Sequence, residues 1–114
     1  MDIMNKIPLE VKKLAEKLAL KSTMKYKMSA VIYNKKGKII NGGFNRWLYM
    51  GGRFNPHARY SIHAEIDSLS GVSREELYGA SIYIYRENGN LAKPCKCCMH
   101  SLLKNGIYDI NWSE

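Results

Sequence analysis

All three cysteines of this chain fall inside one four-residue stretch, at Cys95, Cys97 and Cys98. Thiols that close in sequence cannot staple distant segments together, so a disulfide framework is excluded. A fold of 114 residues must therefore be held by its own apolar core, with the thiols left for a metal or for reactive chemistry. The apolar content of 46% and charged content of 25% suffice for such a core and exclude a disordered chain. The length predicts a single domain over residues 1–114. No run approaches the ~20 apolar residues of a membrane helix. The start, Met1-Asp2-Ile3-Met4-Asn5-Lys6, lacks the apolar core and small-residue cleavage site of a secretory leader. With the free thiols, this predicts a cytoplasmic protein without a membrane partner. The formal charge of +8 points to an anionic substrate or partner.

Local pattern then supplies the elements. Val11, Leu14, Ala15 and Leu18 recur at helical spacing, with Lys13, Lys17 and Lys21 on the other side, predicting an amphipathic helix over 8–21 opened by Pro8. Residues 29–33 form a buried-type strand, 34–37 a turn, and 38–44 a second strand, read together as a hairpin. Gly42-Gly43 marks a bulge or a close backbone approach. Residues 45–61 are expected as a long irregular loop, aromatic and basic, followed by a short helix over 62–69. Ser73 and Glu76 form a capping-box pattern opening a further turn. A strand over 81–86, a helix over 95–104 closed by Asn105-Gly106, and a strand over 107–112 complete the chain. The order α-β-β-α-β-α-β implies a layered α/β domain with a mixed sheet whose first two strands are antiparallel.

Two segments carry chemistry, His63-Ala64-Glu65 and Pro94-Cys95-Lys96-Cys97-Cys98, each at the start of a predicted helix. Cys95 and Cys98 are three residues apart, so their sulfurs share one face of a first turn. The positive end of a helix favours thiolates there, ready for a soft cation. His63 supplies a third ligand, and a His/Cys/Cys set leaves one tetrahedral position open, as catalytic zinc sites do. Glu65 reaches a water in that position only if the metal lies over the helix N-terminal end. The competing reading is a closed structural site with His57, His100 or Cys97 as fourth ligand, in which Glu65 has no purpose.

The joined pattern, His-x-Glu followed by Pro-Cys-x-x-Cys, resembles the zinc-dependent cytidine/deoxycytidylate deaminase family over most of the chain. The resemblance implies a three-layer α/β/α domain with a mixed sheet of four to five strands. It implies one zinc ion per chain on His63, Cys95 and Cys98, with Glu65 carrying protons between an activated water, the ring and the departing amine. Cytosine in a free nucleoside or nucleotide (cytidine, deoxycytidine or its monophosphate) would become uracil, with release of ammonia. Gly43-Phe44-Asn45 matches the family's glycine-aromatic-Asn corner, which makes Asn45 a sugar contact. Met28-Ser29-Ala30-Val31 takes the place of the strand beside the base, so Ala30, Ala64 and Pro94 are expected at the substrate. Ser29 stands where the family commonly has glycine, which narrows the expected pocket.

Arg46, Arg53 and Arg59 interleave with Trp47, Tyr49, Phe54 and Tyr60. They are candidate contacts to a phosphate or to a nucleic-acid strand, with a merely solubilising basic surface as the alternative. Two other functions compete with the nucleoside or nucleotide reading: deamination of cytosine or adenine in single-stranded nucleic acid or tRNA, and a zinc-binding module without turnover. The family's fifth strand and last helix are missing or minimal in this sequence, so a sheet edge is expected to be exposed and a homo-oligomer to cover it.

Overall fold

A computed structural model describes residues 7–49, 59–88 and 92–113, with backbone alone at 48, 49, 59 and 60. Helix α1 (Leu9–Ala19) is followed by strands β1 (Met28–Tyr33), β2 (Ile39–Phe44), β3 (Arg46–Tyr49) and β4 (Arg59–Ile62). Helices α2 (Ala64–Leu69) and α3 (Arg74–Leu77), strand β5 (Ser81–Arg86), helix α4 (Lys96–Lys104) and strand β6 (Asp109–Trp112) complete the order. The main sheet has four strands in the order β2-β1-β5-β6. β1 is antiparallel to both β2 and β5, whereas β5 and β6 are parallel, so the sheet is mixed.

Alternation along the central strands builds two cores. Ala30, Ile32, Ile82 and Ile84 point to one face, where they meet Ala64, Leu77, Leu102 and Ile107 beneath α2, α3 and α4. Val31, Tyr33 and Tyr83 point to the other, where Val11 and Ala15 of α1 cover them. Successive strand residues face opposite sides, so both faces of β1 and β5 are dry and the domain has three layers. Each fully buried Ile or Leu here contributes about 1.5–3 kcal/mol of transfer free energy. Helix α1 is further tied down by the Ser29 hydroxyl, which donates to the Ala15 carbonyl at 2.5 Å.

Several expectations are corrected at this level. Pro8 is the N-cap of α1 rather than its first residue, and the helix stops at Ala19. The segment 45–61 is not wholly irregular, because β3 and β4 pair antiparallel as a separate two-stranded ladder. Ile62 ends β4, so α2 starts only at Ala64. The irregularity between β1 and β2 falls at Ile32/Tyr33, not at the paired glycines. Gly43 instead makes the close approach: a Cβ there would lie 2.6 Å from the Ser68 backbone nitrogen of α2. Ser73 caps α3 by accepting the Glu76 N–H at 3.3 Å. Gly106 follows α4 with φ +84°, the left-handed conformation that lets the chain turn back into β6. Among the described residues no helix is long and apolar enough to cross a membrane.

Candidate metal centre and cleft

Two chain entries bring the ligands together. β4 delivers His63 in extended conformation (φ −76°, ψ 150°) as the N-cap of α2, and Cys95 is the extended N-cap of α4 (φ −72°, ψ 169°). The Cys95 Sγ accepts the Cys98 backbone N–H at 3.5 Å, which holds both sulfurs at the opening turn of α4. His63 Nδ1 lies 3.2 Å from Cys98 Sγ and 3.8 Å from Cys95 Sγ. All three ligand atoms are within 4.8 Å of one another. Tetrahedral zinc with ordinary Zn–N and Zn–S bonds sets its nitrogen and sulfur about 3.6 Å apart, so the spacing fits that ion. Two thiols and an imidazole are also the donors zinc prefers. Cys97 and His100 are exposed and outside this group, and His57 lies outside the described residues.

Glu65 is the second residue of α2, in its first turn, and is 3% exposed. Burial raises its carboxyl pKa, opposed by its own backbone N–H, by His63 and by a hydrogen bond with the Cys98 thiol. Burial likewise pushes the Cys98 thiol up, with the Glu65 charge adding to the effect. Burial and the Glu65 charge thus oppose a thiolate at Cys98, and a bound cation would supply compensating charge.

A cleft of about 350 Å³ opens beside these groups, lined by His63, Glu65 and Cys95 together with Asn45, Trp47 and Ala64. Asn45 is pinned: its Oδ1 accepts the Met28 N–H at 2.9 Å, and its Nδ2 donates to the Tyr26 carbonyl at 2.6 Å. Ala30 is fully buried in the core and does not line the cleft. Pro94 is buried beside an outer groove with Lys96 and His100. The Arg46 guanidinium donates to Asp67 Oδ1 at 2.7 Å, an ion pair away from the cleft lining. Arg53 and the Arg59 side chain lie outside the described residues. The sequence reading missed Lys25, Tyr26 and Lys93, which also line the cleft. Lys25 and Tyr26 precede β1 and Lys93 directly precedes the cysteine motif over 94–98, and only the fold shows that they converge.

The family model described as the cytidine and deoxycytidylate deaminase zinc-binding region matches residues 5–114. No curated protein matches the sequence. Among solved structures, the dCMP deaminase of cyanophage S-TIM5 in apo form superposes with a TM-score of 0.64 at 22% identity, covering 90% of this chain and 79% of that one. The same phage enzyme in complex with dCMP and dUMP gives 0.63 at 18% identity, covering 94% and 83%. The cytidine deaminase of Mycobacterium tuberculosis gives 0.60 at 14% identity, covering 92% and 82%. At such identities the three structures speak for a shared fold.

Proposed function

From the premise that the chain belongs to the cytidine and deoxycytidylate deaminase zinc-binding family, we propose a zinc-dependent hydrolytic deaminase. Its substrate is cytosine in a free nucleoside or nucleotide, and its products are the uracil counterpart and ammonia. The observation that carries this reading is the placement of a buried carboxyl, Glu65, beside the His63, Cys95 and Cys98 cluster, at the wall of a cleft.

His63 Nδ1 and the sulfurs of Cys95 and Cys98 would hold the ion. When bound, zinc supplies the Lewis acidity that lets water ionise near neutral pH. The Glu65 carboxylate takes the proton of the attacking water and delivers it to ring N3. Once the water oxygen has bonded to C4, the carboxylate takes that oxygen's remaining proton and passes it to the exocyclic nitrogen, so the C4–N bond breaks, the oxygen becomes the product carbonyl and ammonia leaves. A raised carboxyl pKa suits this double duty, since one group must act first as base and then as acid. The burial of Glu65 limits the access of bulk water to that proton.

The fold supports two further parts of the reading. β6 lies at the end of the sheet, and covering such an edge favours a homo-oligomer, which sedimentation would reveal. The free thiols suit a reducing cytoplasm, testable by fractionation.

Glu65→Ala tests the assignment. The expected result is a loss of at least about 100-fold in ammonia release, the usual weight of a general acid–base group, with zinc content unchanged at one per chain. Undiminished turnover in that variant removes Glu65 from the chemistry. A protein that holds zinc but releases no ammonia from any cytosine substrate is a binding module instead.

A further inference from the structure

Two cations line the cleft that the proposed proton transfers do not use. Lys25 comes from the turn between α1 and β1, and Lys93 from the stretch just before Cys95, yet both line the same cleft as Glu65. Both are exposed. Neither is matched by a carboxylate among the described residues, whereas Arg46 is neutralised by Asp67. Glu65 is the one acidic side chain among the described residues of the lining, and it is buried. A third cation stands near: the Arg86 guanidinium stacks 4.7 Å from the centroid of Tyr26, and the Lys25 ammonium lies 5.4 Å from the same ring. Tyr26 itself is 55% exposed and lines the cleft.

We propose that Lys25 and Lys93 form a phosphate-binding site that makes a nucleoside monophosphate, rather than a nucleoside, the substrate. The proposal rests on the deaminase reading and narrows it. A nucleoside is neutral and offers these two ammonium groups no charge to pair with. A phosphate monoester carries about −1.5 to −2 charges at pH 7, which two lysines match. A diester inside a strand carries one charge per phosphate and matches them less well. The volume, about 350 Å³, is near the small end of ligand pockets, which suits one nucleotide rather than a run of them. From sequence, Arg46, Arg53 and Arg59 are candidates for a phosphate or a strand, with a solubilising surface as the alternative. Arg46 is already paired with Asp67 and lies off the cleft lining, whereas Lys25 and Lys93 line it.

Calorimetric titration of the zinc-loaded protein with deoxycytidine, dCMP and a short oligodeoxycytidine strand tests this, alongside the double variant Lys25→Ala/Lys93→Ala. Two solvent-facing ion pairs amount to about a tenfold preference for dCMP over deoxycytidine. That ratio should fall toward one in the double variant. Equal affinities in the unmodified protein, a ratio unmoved by the substitutions, or a strand that binds more tightly than dCMP would each overturn the proposal. Ammonia release from the same samples separates the two ideas. Phosphate-dependent binding without ammonia defeats the deaminase reading and leaves the phosphate site standing. Ammonia release without phosphate preference defeats the phosphate site alone.

Discussion

Asn45 Oδ1 accepts the backbone N–H of Met28 at 2.9 Å, so the residue at the end of β2 organises the cleft wall before any ligand arrives. Its Nδ2 completes the clamp on the Tyr26 carbonyl at 2.6 Å, one residue from Lys25. Removing the amide leaves two backbone groups without their partner, at about 1–3 kcal/mol each where water cannot replace it. Asn45→Ala should therefore lose about 2–4 kcal/mol in urea unfolding. A sugar contact alone would leave stability untouched and lower only turnover.

Tyr33 gives the fold an alkaline limit. Burial, with Asp109 adding to it, pushes its phenol from 10.0 to about 12. The folded form therefore keeps a proton that the unfolded chain gives up. The stability this represents is intact below pH 10 and is lost as pH rises toward 12. Tyr33→Phe should flatten that decline in denaturant titrations across the window. The slope will shrink rather than vanish, since burial also raises Tyr83 and Tyr85.

Metal loading should release protons. The Cys98 thiol is held protonated by burial and by the Glu65 charge, whereas a ligating sulfur is a thiolate. Zinc titrated into stripped protein in weak buffer with an indicator dye should acidify the solution, and apparent affinity should rise with pH. Cys98→Ser should remove most of both effects and lower bound zinc well below one per chain.

The two adjacent glycines of β2 predict opposite tolerances. At Gly43 a Cβ would meet backbone atoms of α2, 2.6 Å from the Ser68 nitrogen and 2.8 Å from the Asp67 carbonyl carbon. At Gly42 its tightest neighbour is the Leu18 side-chain tip at 2.6 Å, which can swing away. Gly43→Ala should cost about 1–3 kcal/mol by overpacking, and turnover with it, because α2 carries Glu65. Gly42→Ala should be clearly milder. Thermal melts and ammonia assays on the two variants make the comparison.

Much of this arrangement could be read from residue spacing. The alternation through 29–33 and 81–86 and the periodicity of Val11, Ala15 and Leu18 are strong because they record burial directly. The three candidate donors His63, Cys95 and Cys98 were legible as a group because zinc chemistry favours such donors close to helix starts, and the structure brings them together. The β3–β4 ladder was not, since its four-residue strands are separated by a long segment and carry arginines and polar residues without a clean period. The role of Asn45 was half visible: its place in the corner could be read, but its tie to Tyr26 and Met28 depends on a contact about seventeen residues away in sequence. Lys25 and Lys93 gave no signal at all. A lysine in a turn looks like any solvated charge until the fold sets another beside it.

The ligand cluster spans the chain unevenly, with His63 entering from its middle and the two sulfurs only at residues 95 and 98. During synthesis on a ribosome, the imidazole emerges more than thirty residues ahead of the second thiol. A cation can be gripped by all three donors only once Cys98 has cleared the exit tunnel. The proposed ion could therefore be held by all three donors only after the sheet strands β1, β2 and β5 have emerged to pair.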